Sequence, residues 1–190
     1  MGRPARIDRA AVLDAALTLA DARGLDAVTM AAVAERLDVT PMALYRHVGN
    51  KADLLDGLVE RLLAELPAPE GEGPPDESLP RLAHAVRDTA HRHPGVFPLL
   101  LQRPATTPDA VRARDAVCAA LRRAGVPEGS DRRCERLIST AILGFAVSEV
   151  AGRFRNHSRA ELDQDFDRLL ELLADLVRAE AHPSGRPRPG

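Results

Sequence analysis

The side chains best suited to contacting another molecule are concentrated in one short segment, Val39 to Leu55, which reads VTPMALYRHVGNKADLL. A tyrosine, an arginine, a histidine and a lysine lie there, in a chain otherwise rich in alanine and leucine. An arginine can donate two hydrogen bonds to a guanine edge, and small apolar groups can contact the methyl group of thymine. Hydroxyl, imidazole and ammonium groups suit phosphate oxygens. The segment therefore predicts contacts with double-stranded DNA.

Two short helices joined by a tight turn would position this segment. Thr29 can cap a helix over MAAVAERL, and Thr40 followed by Pro41 is a typical second helix start. The second helix, PMALYRHV, has at most two turns because Gly49 breaks it, and Asn50 can cap the helix that follows. This arrangement is typical of a helix-turn-helix, whose second helix enters the major groove of DNA.

On a helical wheel, Leu44 and Val48 share the face that can pack against Val33 and Leu37. Tyr45 could instead be a packing aromatic of a small helical head, but its polar neighbours favour a contact with DNA. The free N–H groups at the three helix starts also suit anions. The residues expected to contact DNA are Thr29, Thr40, Pro41, Met42, Ala43, Tyr45, Arg46, His47 and Lys51.

The rest of the chain also has helical periodicity. Hydrophobic residues make up 45% of the 190 residues and aromatic residues only 3%, and few segments have the β-branched and aromatic density of strands. We therefore predict an all-α fold of about nine helices. The further helix starts are predicted at caps, which are Asp8, Ser78, Thr107, Ser130 and Ser158.

The predicted domain boundaries follow from these elements. Residues 1–50 form a three-helix helix-turn-helix head behind a polar arm, MGRPAR, and residues 51–182 form a larger helical domain. The Pro, Gly and acid-rich stretch PAPEGEGPPDE is typical of a flexible connector, and residues 183–190 are typical of a disordered tail.

Composition and motifs argue against several other classes of protein. The net charge of −2 excludes a globally basic surface but not a local basic patch. No GxSxG, GxxxxGK[ST] or HExxH motif is present, and His84, His91, His93 and Cys118 have no metal-site spacing. We therefore expect neither an enzyme, nor a metal, nor a cofactor. The two cysteines and the lack of a signal or membrane-spanning run favour a cytoplasmic protein without membrane contact.

The arm GRPAR, the block VTMAAVAERLDVTPMALYRHVGNKADLL and the helical remainder together resemble the TetR family of transcriptional regulators. The resemblance implies a homodimer, most often a repressor, that binds a palindromic operator and is released by a small-molecule inducer. It also implies that residues 51–182 are the ligand-binding and dimerisation domain. Within the family, LYRHVGNKADLLD is closest to the tetracycline-repressor type. Asp38 stands where the family usually has glycine in the turn, and aspartate tolerates a left-handed backbone better than most residues.

The resemblance does not extend to a magnesium–tetracycline inducer. The positions that match that repressor's metal-binding histidine, a nearby threonine and a drug-contacting histidine hold Leu99, Gln102 and Pro67. A lipophilic inducer is expected instead. The residues expected to line its cavity, each of which could instead be plain core, are Phe97, Leu100, Val117, Leu121, Ile142 and Phe145.

Two helical stripes are candidates for the dimer interface. Small residues recur along the helix after Ser130 and let another helix approach closely, and leucines recur along the last helix. Both stripes could instead pack only within one chain. The candidate residues are Ala141, Gly144, Ser148, Phe166, Leu170 and Leu173. A helical protein-interaction module without DNA binding is the alternative function, and the sequence names neither the operator, the inducer nor the sign of regulation.

Overall fold

The structure, a computed structural model, describes residues 7–67, 75–103 and 107–182. These residues contain α-helices and one short 3-10 helix, Leu25–Ala27, and no strand, which confirms the all-α prediction. The α-helices are α1 (Arg9–Arg23), α2 (Met30–Arg36), α3 (Pro41–Leu44), α4 (Lys51–Ala64), α5 (Pro75–Arg92), α6 (Leu99–Gln102), α7 (Pro108–Arg123), α8 (Asp131–Val150) and α9 (Arg159–Ala181). The predicted arm, residues 68–74 of the predicted connector and the predicted tail lie outside the described residues.

Most helices begin where a capping side chain was expected. The oxygen of Asp8, Thr29 or Thr107 accepts a hydrogen bond from the backbone N–H three residues ahead. Ser158 and Glu161 form a complete capping box, because each side chain accepts from the other residue's backbone N–H. The hydrogen bonds from Ser158 also hold the pKa of Glu161 below its ordinary value.

One predicted cap is misplaced, and two others make no capping bond. Helix α5 begins at Pro75, three residues before Ser78, so Ser78 is a buried helical residue. Thr40 before α3 and Ser130 before α8 hold the expected cap positions without a side-chain capping bond, and Ser130 also has a helical backbone. Asp131 replaces it, because its carboxylate accepts from the N–H of Gly129 at 3.1 Å and of Arg132 at 2.9 Å. Helix α8 ends at Val150, two residues before Gly152 with its φ of 74°.

The N-terminal head packs α1 to α4 around one apolar core. Val12, Val33, Leu44, Leu54 and Leu58 are each 0% exposed there. A Cβ atom on Gly57 would lie 2.5 Å from Cδ2 of Leu13, so a larger residue there would displace the Leu13 side chain between α1 and α4. Two ion pairs also join α1 to α4, one between Arg9 and Glu60 and one between Asp14 and Arg61.

The larger body consists of α5 to α9 and is crossed by one buried ion pair. Arg87 on α5 donates two hydrogen bonds of 2.7 Å to the carboxylate of Glu149 on α8, and both side chains are about 5% exposed. The guanidinium group also lies 2.8 Å from Asp163 on α9 and 4.9 Å from the ring centroid of Phe166. Three helices are thereby held together at one point.

The head and the body are joined around the end of α5. The Nδ1 atom of His93 lies 2.8 Å from Asp21 of α1, and its Nε2 atom lies 3.2 Å from Glu65, which caps α4. Arg92 forms an ion pair with the same Glu65. No helix in the described ranges is long and apolar enough to span a membrane.

Candidate nucleic-acid interface and cavity

The turn between α2 and α3 has the geometry of a helix-turn-helix. Asp38 has a φ of 55° and is the only non-glycine residue with positive φ in the described chain. The backbone N–H of Val39 then donates to the carbonyl of Ala34 at 3.0 Å and closes the turn. The expectation that aspartate could replace glycine here is confirmed.

The recognition helix α3 is shorter than predicted. Only Pro41–Leu44 is α-helical, although the N–H of Val48 still donates to the carbonyl of Leu44 at 2.9 Å. The chain must leave the helix because Asn50 caps α4 from an extended backbone, with φ −160° and ψ −178°. The α-helix therefore covers only the first half of the predicted segment PMALYRHV, within the predicted limit of two turns, and the segment remains wound up to Val48.

The side chains of this segment separate into a buried and an exposed face. Leu44 and Val48 are at most 2% exposed and anchor the segment on the head. Met42 is 72% exposed and Tyr45 is 46% exposed. Among the described residues of the head, these are the two large hydrophobic side chains that are exposed to solvent. The other expected contact residues are exposed or partly exposed, and these are Thr29, Thr40, Pro41, Ala43, Arg46, His47 and Lys51.

The cations of this surface have no acidic partner within the described part of the chain. No carboxylate oxygen there lies within 4.0 Å of Arg46 or Lys51, whereas body arginines such as Arg87, Arg103 and Arg133 each form an ion pair. An unpaired cation on an exposed face retains its full charge for a phosphate. Arg46 and Lys51 are thus two exposed cations without an acidic partner in the described part of the chain, which agrees with the local basic patch that the net charge left open.

The helix starts are less open to anions than expected. The side-chain oxygen of Asn50 already accepts from the N–H of Ala52 at 2.7 Å and of Asp53 at 3.1 Å. The hydroxyl of Thr29 likewise accepts from the N–H of Ala32. Side chains therefore occupy some of the N–H groups that were expected to be free at these starts.

A cavity of about 1020 Å³ lies in the body, between α4, α5, α6, α7, α8 and α9. Its wall is mainly aliphatic, and it includes Leu100, Val117 and Ile142 of the six residues expected there. Phe97 and Leu121 do not reach it, because both are 0% exposed in the surrounding core. Phe145 lines a separate small recess instead. Three of the six residues expected to line an inducer cavity therefore lie on the wall of this one.

Arg103 joins this cavity to α4 and was missed in the sequence. Its side chain lines the cavity and donates to the carboxylate of Asp56, and a second nitrogen donates to the carbonyl of Ala52 at 3.2 Å. The hydrogen bond from Arg103 holds the pKa of Asp56 below its ordinary value. The two residues are 47 positions apart, so no local pattern could have paired them.

The two dimer stripes differ in the structure. Ala141, Gly144 and Ser148 are only partly buried on one face of α8, and Leu137, which the sequence analysis did not single out, extends that face at 52% exposure. Phe166 is 0% exposed and packs within the chain against Phe145, so it cannot contact a second copy. Leu170 and Leu173 line the cavity.

Comparisons with known proteins match both parts of the chain to one family. Residues 12–58 match the family model described as bacterial regulatory proteins, tetR family. Residues 79–173, half of the chain, match the model of the tetracyclin repressor-like C-terminal domain.

Individual relatives match either most of this chain or a shorter part of it. The HTH-type transcriptional repressor DrrR1 of Streptomyces coeruleorubidus is 29% identical over 170 residues, which is 88% of this chain and 63% of that repressor. The class D tetracycline repressor of Escherichia coli is 43% identical over 60 residues, 32% of this chain and 28% of that protein. The crystal structure of BioQ with its double-stranded DNA operator has a TM-score of 0.77 at 27% identity, covering 93% of this chain and 100% of that one; another BioQ structure is from Mycobacterium smegmatis.

Proposed function

The chain belongs to the TetR family of bacterial transcriptional regulators, and we propose that it is a homodimeric repressor that binds a palindromic operator and releases it when a small molecule enters the body cavity. The observation that carries the proposal is the exposed face of the recognition segment. Met42 and Tyr45 project from it beside Arg46 and Lys51, and the fully buried Leu44 anchors it from below.

Each exposed side chain has a proposed role on DNA. Arg46 would bond a guanine edge, and Met42 or Ala43 would contact a thymine methyl group. Tyr45, His47, Lys51 and the threonines would contact phosphates and so set the register of the head. Because these side chains lie on one short segment, one chain reads one half-site. A two-fold dimer would place a second segment about 34 Å away, one turn of DNA.

The cavity and α4 supply a route from ligand to DNA. Helix α4 begins at Lys51 on the proposed DNA face, and Val59, Leu63 and Ala64 line the cavity at its other end. Arg103 holds the first turns of this helix from the cavity wall. A ligand that favours a different position of Arg103 or α4 would change the spacing of the two heads. Release then requires only different ligand affinities for the two spacings.

Selection of binding sites from random DNA, followed by binding measurements across salt concentrations, tests the proposal. We expect enrichment of an inverted repeat, and a salt dependence of log K that becomes shallower by about one unit per protomer in Lys51→Ala. Arg155→Ala is the matched control, because it removes the same charge from an exposed body residue. Enrichment of no sequence by ligand-free, refolded protein would contradict the proposal.

The alternative is a helical interaction module without DNA binding. It would need another explanation for the exposed side chains of the recognition segment. The head matches the model of a family of DNA-dependent regulators over residues 12–58. If Tyr45→Ala and Lys51→Ala both left operator binding unchanged, that alternative would be favoured.

A further inference from the structure

Glu135 is an exception among the buried charged side chains of the described residues. Buried carboxylates are normally paired with a cation or hydrogen-bonded by several donors, because an isolated charge is costly to remove from water. Glu149 has Arg87, and Asp131 has two backbone N–H donors and Arg122 at 3.5 Å. Glu135 is 8% exposed, yet no basic nitrogen in residues 7–67, 75–103 or 107–182 lies within 4.0 Å of it.

The carboxylate of Glu135 lies on the wall of the body cavity. The hydroxyl of Ser139, one helical turn ahead on α8, donates to its Oε1 atom at 2.9 Å, and Ser139 lines the same cavity. A carboxylate can accept about four hydrogen bonds, so a single hydroxyl leaves most of its capacity unused. This capacity is available to a molecule bound in the cavity.

The other charged groups of the cavity wall do not compensate Glu135. Arg103, Arg112 and Arg178 are already paired with Asp56, Asp109 and Asp175. The buried Nε atom of Arg114 has no hydrogen-bond partner among the described residues and lies 3.9 Å from Asp115, and Arg136 is an exposed side chain; neither arginine has a nitrogen within 4.0 Å of the Glu135 carboxylate. The buried part of the wall is otherwise lined by aliphatic residues such as Ala110, Ala116, Val117, Ile138 and Ile142.

We propose that Glu135, positioned by Ser139, binds a protonated amine on an otherwise apolar ligand. An ammonium group would supply both the missing charge and the missing donors, and such charge-assisted hydrogen bonds are about twice as strong as neutral ones. The cavity volume suits a ligand of at least drug size. This inference rests on the proposed function, since it takes the cavity to be the inducer site.

Matched probes of the full-length protein test this recognition without DNA. Dodecylamine, dodecanol and dodecanoate share one apolar chain and differ in the head group. Each is used at neutral pH, below its micelle concentration or its solubility limit, to displace the neutral dye Nile red from the cavity. We expect dodecylamine to bind about tenfold more tightly than dodecanol, and dodecanoate to bind more weakly than both.

Glu135→Gln keeps the size of the side chain and removes its charge, so the preference for dodecylamine should disappear. Glu128→Gln makes the same change in an exposed loop and should retain the preference. Circular dichroism and thermal unfolding check the fold, and Glu135→Gln should melt no lower than wild type because it removes an unpaired buried charge. If it nevertheless unfolds, Ser139→Ala should reduce the preference for the amine.

Equal affinities of dodecylamine and dodecanol for the wild type, or an amine preference that survives Glu135→Gln, would overturn the assignment. In both cases dye displacement would still support a ligand cavity. If Nile red bound none of the variants, the inducer cavity of the proposed function would be contradicted together with the role of Glu135.

Discussion

At the scale of single residues, the ion pair between Arg87 and Glu149 differs in kind from most others in this chain. Both partners are almost inaccessible, and Nε2 of His91 lies 3.2 Å from the same carboxylate. Pairs such as Arg168 with Glu171 are about two-thirds exposed. Exposed pairs contribute little because water screens them, whereas removing one partner of a buried pair leaves a charge without compensation.

Arg87→Met should therefore lower the free energy of unfolding by about 3 to 5 kcal/mol, since Glu149 stays buried without its partner. Arg168→Met, the matched control at the exposed pair, should cost less than about 1 kcal/mol. Urea unfolding at neutral pH measures both. Replacing the pair together, as Arg87→Met with Glu149→Leu, should recover most of the loss. A double variant as unstable as Arg87→Met would contradict this interpretation.

The same pair predicts a dependence of stability on pH. Burial alone would raise the pKa of Glu149, but the hydrogen bonds and charge of Arg87, with the charge of His91, hold it below its ordinary value. A carboxyl group whose folded pKa is lowered stabilises the fold above its unfolded pKa, and this stability is lost as the pH falls through the folded pKa.

Wild type should thus lose more stability than Glu149→Gln between neutral pH and about pH 3, because only the wild type must protonate this carboxylate. Urea unfolding of the two proteins at each pH gives the comparison. Parallel losses would mean that Glu149 does not contribute to acid unfolding. Glu171→Gln, at an exposed position, should follow the wild type.

At the scale of elements, local sequence signals predicted the head well because capping and turn geometry depend on few neighbouring residues. Thr29 and Asn50 cap their helices, and Asp38 takes the left-handed turn. The predictions failed where contacts between residues far apart in the sequence determine the structure. Phe166 belongs to the buried aromatic core rather than to an exposed stripe, which periodicity alone cannot distinguish. The pairing of Arg103 with Asp56 likewise required the folded body.

Helix α4 is the element through which we expect the body to act on DNA. The pair between Arg103 and Asp56 is partly exposed, so it is worth about 0.5 to 1 kcal/mol. If the whole free energy of this ion pair stabilises the DNA-binding position of α4, Arg103→Met should weaken operator affinity about two- to fivefold. Asp56→Asn should do the same, and the double variant should be no worse than either, because one interaction is lost in each case.

Operator titrations at constant salt measure these affinities. Arg61→Met is the control, since Arg61 joins α4 to Asp14 inside the head and does not reach the cavity. It should leave ligand-induced release intact, while Arg103→Met should reduce it. Additive losses in the double variant would show that the two side chains act on DNA binding independently.

At the scale of the whole molecule, the proposed function requires two copies, and α8 offers the face for them. Leu137, Ala141, Gly144 and Ser148 follow one another at intervals of four, three and four residues, which places them on one side of the helix. Leu172 on α9 is a further exposed leucine, at 51%. Within one chain Leu137 and Leu172 are about half exposed, and a second copy packed on this face would cover Leu137.

Gly144 gives the sharpest test of this face. A Cβ atom built on it meets no other atom within 4 Å, so a larger side chain fits in the single chain. A helix of a second copy that packs over the small residues would close this space, since helix axes approach to about 8–10 Å. Gly144→Arg should therefore leave the helix content and the monomer fold intact, and yield monomers at concentrations where the wild type is dimeric.

Light scattering after size exclusion gives the mass, and an operator titration should show at least a tenfold loss of affinity because a monomer reads only one half-site. Ala160→Arg adds the same charge at an exposed position outside the stripe and should remain dimeric. Gly144→Ala is the intermediate case: the alanine favours the helix by roughly 0.5 to 1 kcal/mol, while its methyl group stands in the proposed contact. Dimers of unchanged stability in Gly144→Arg would place the interface on another face of the body, and Leu172→Arg would then test α9 alone.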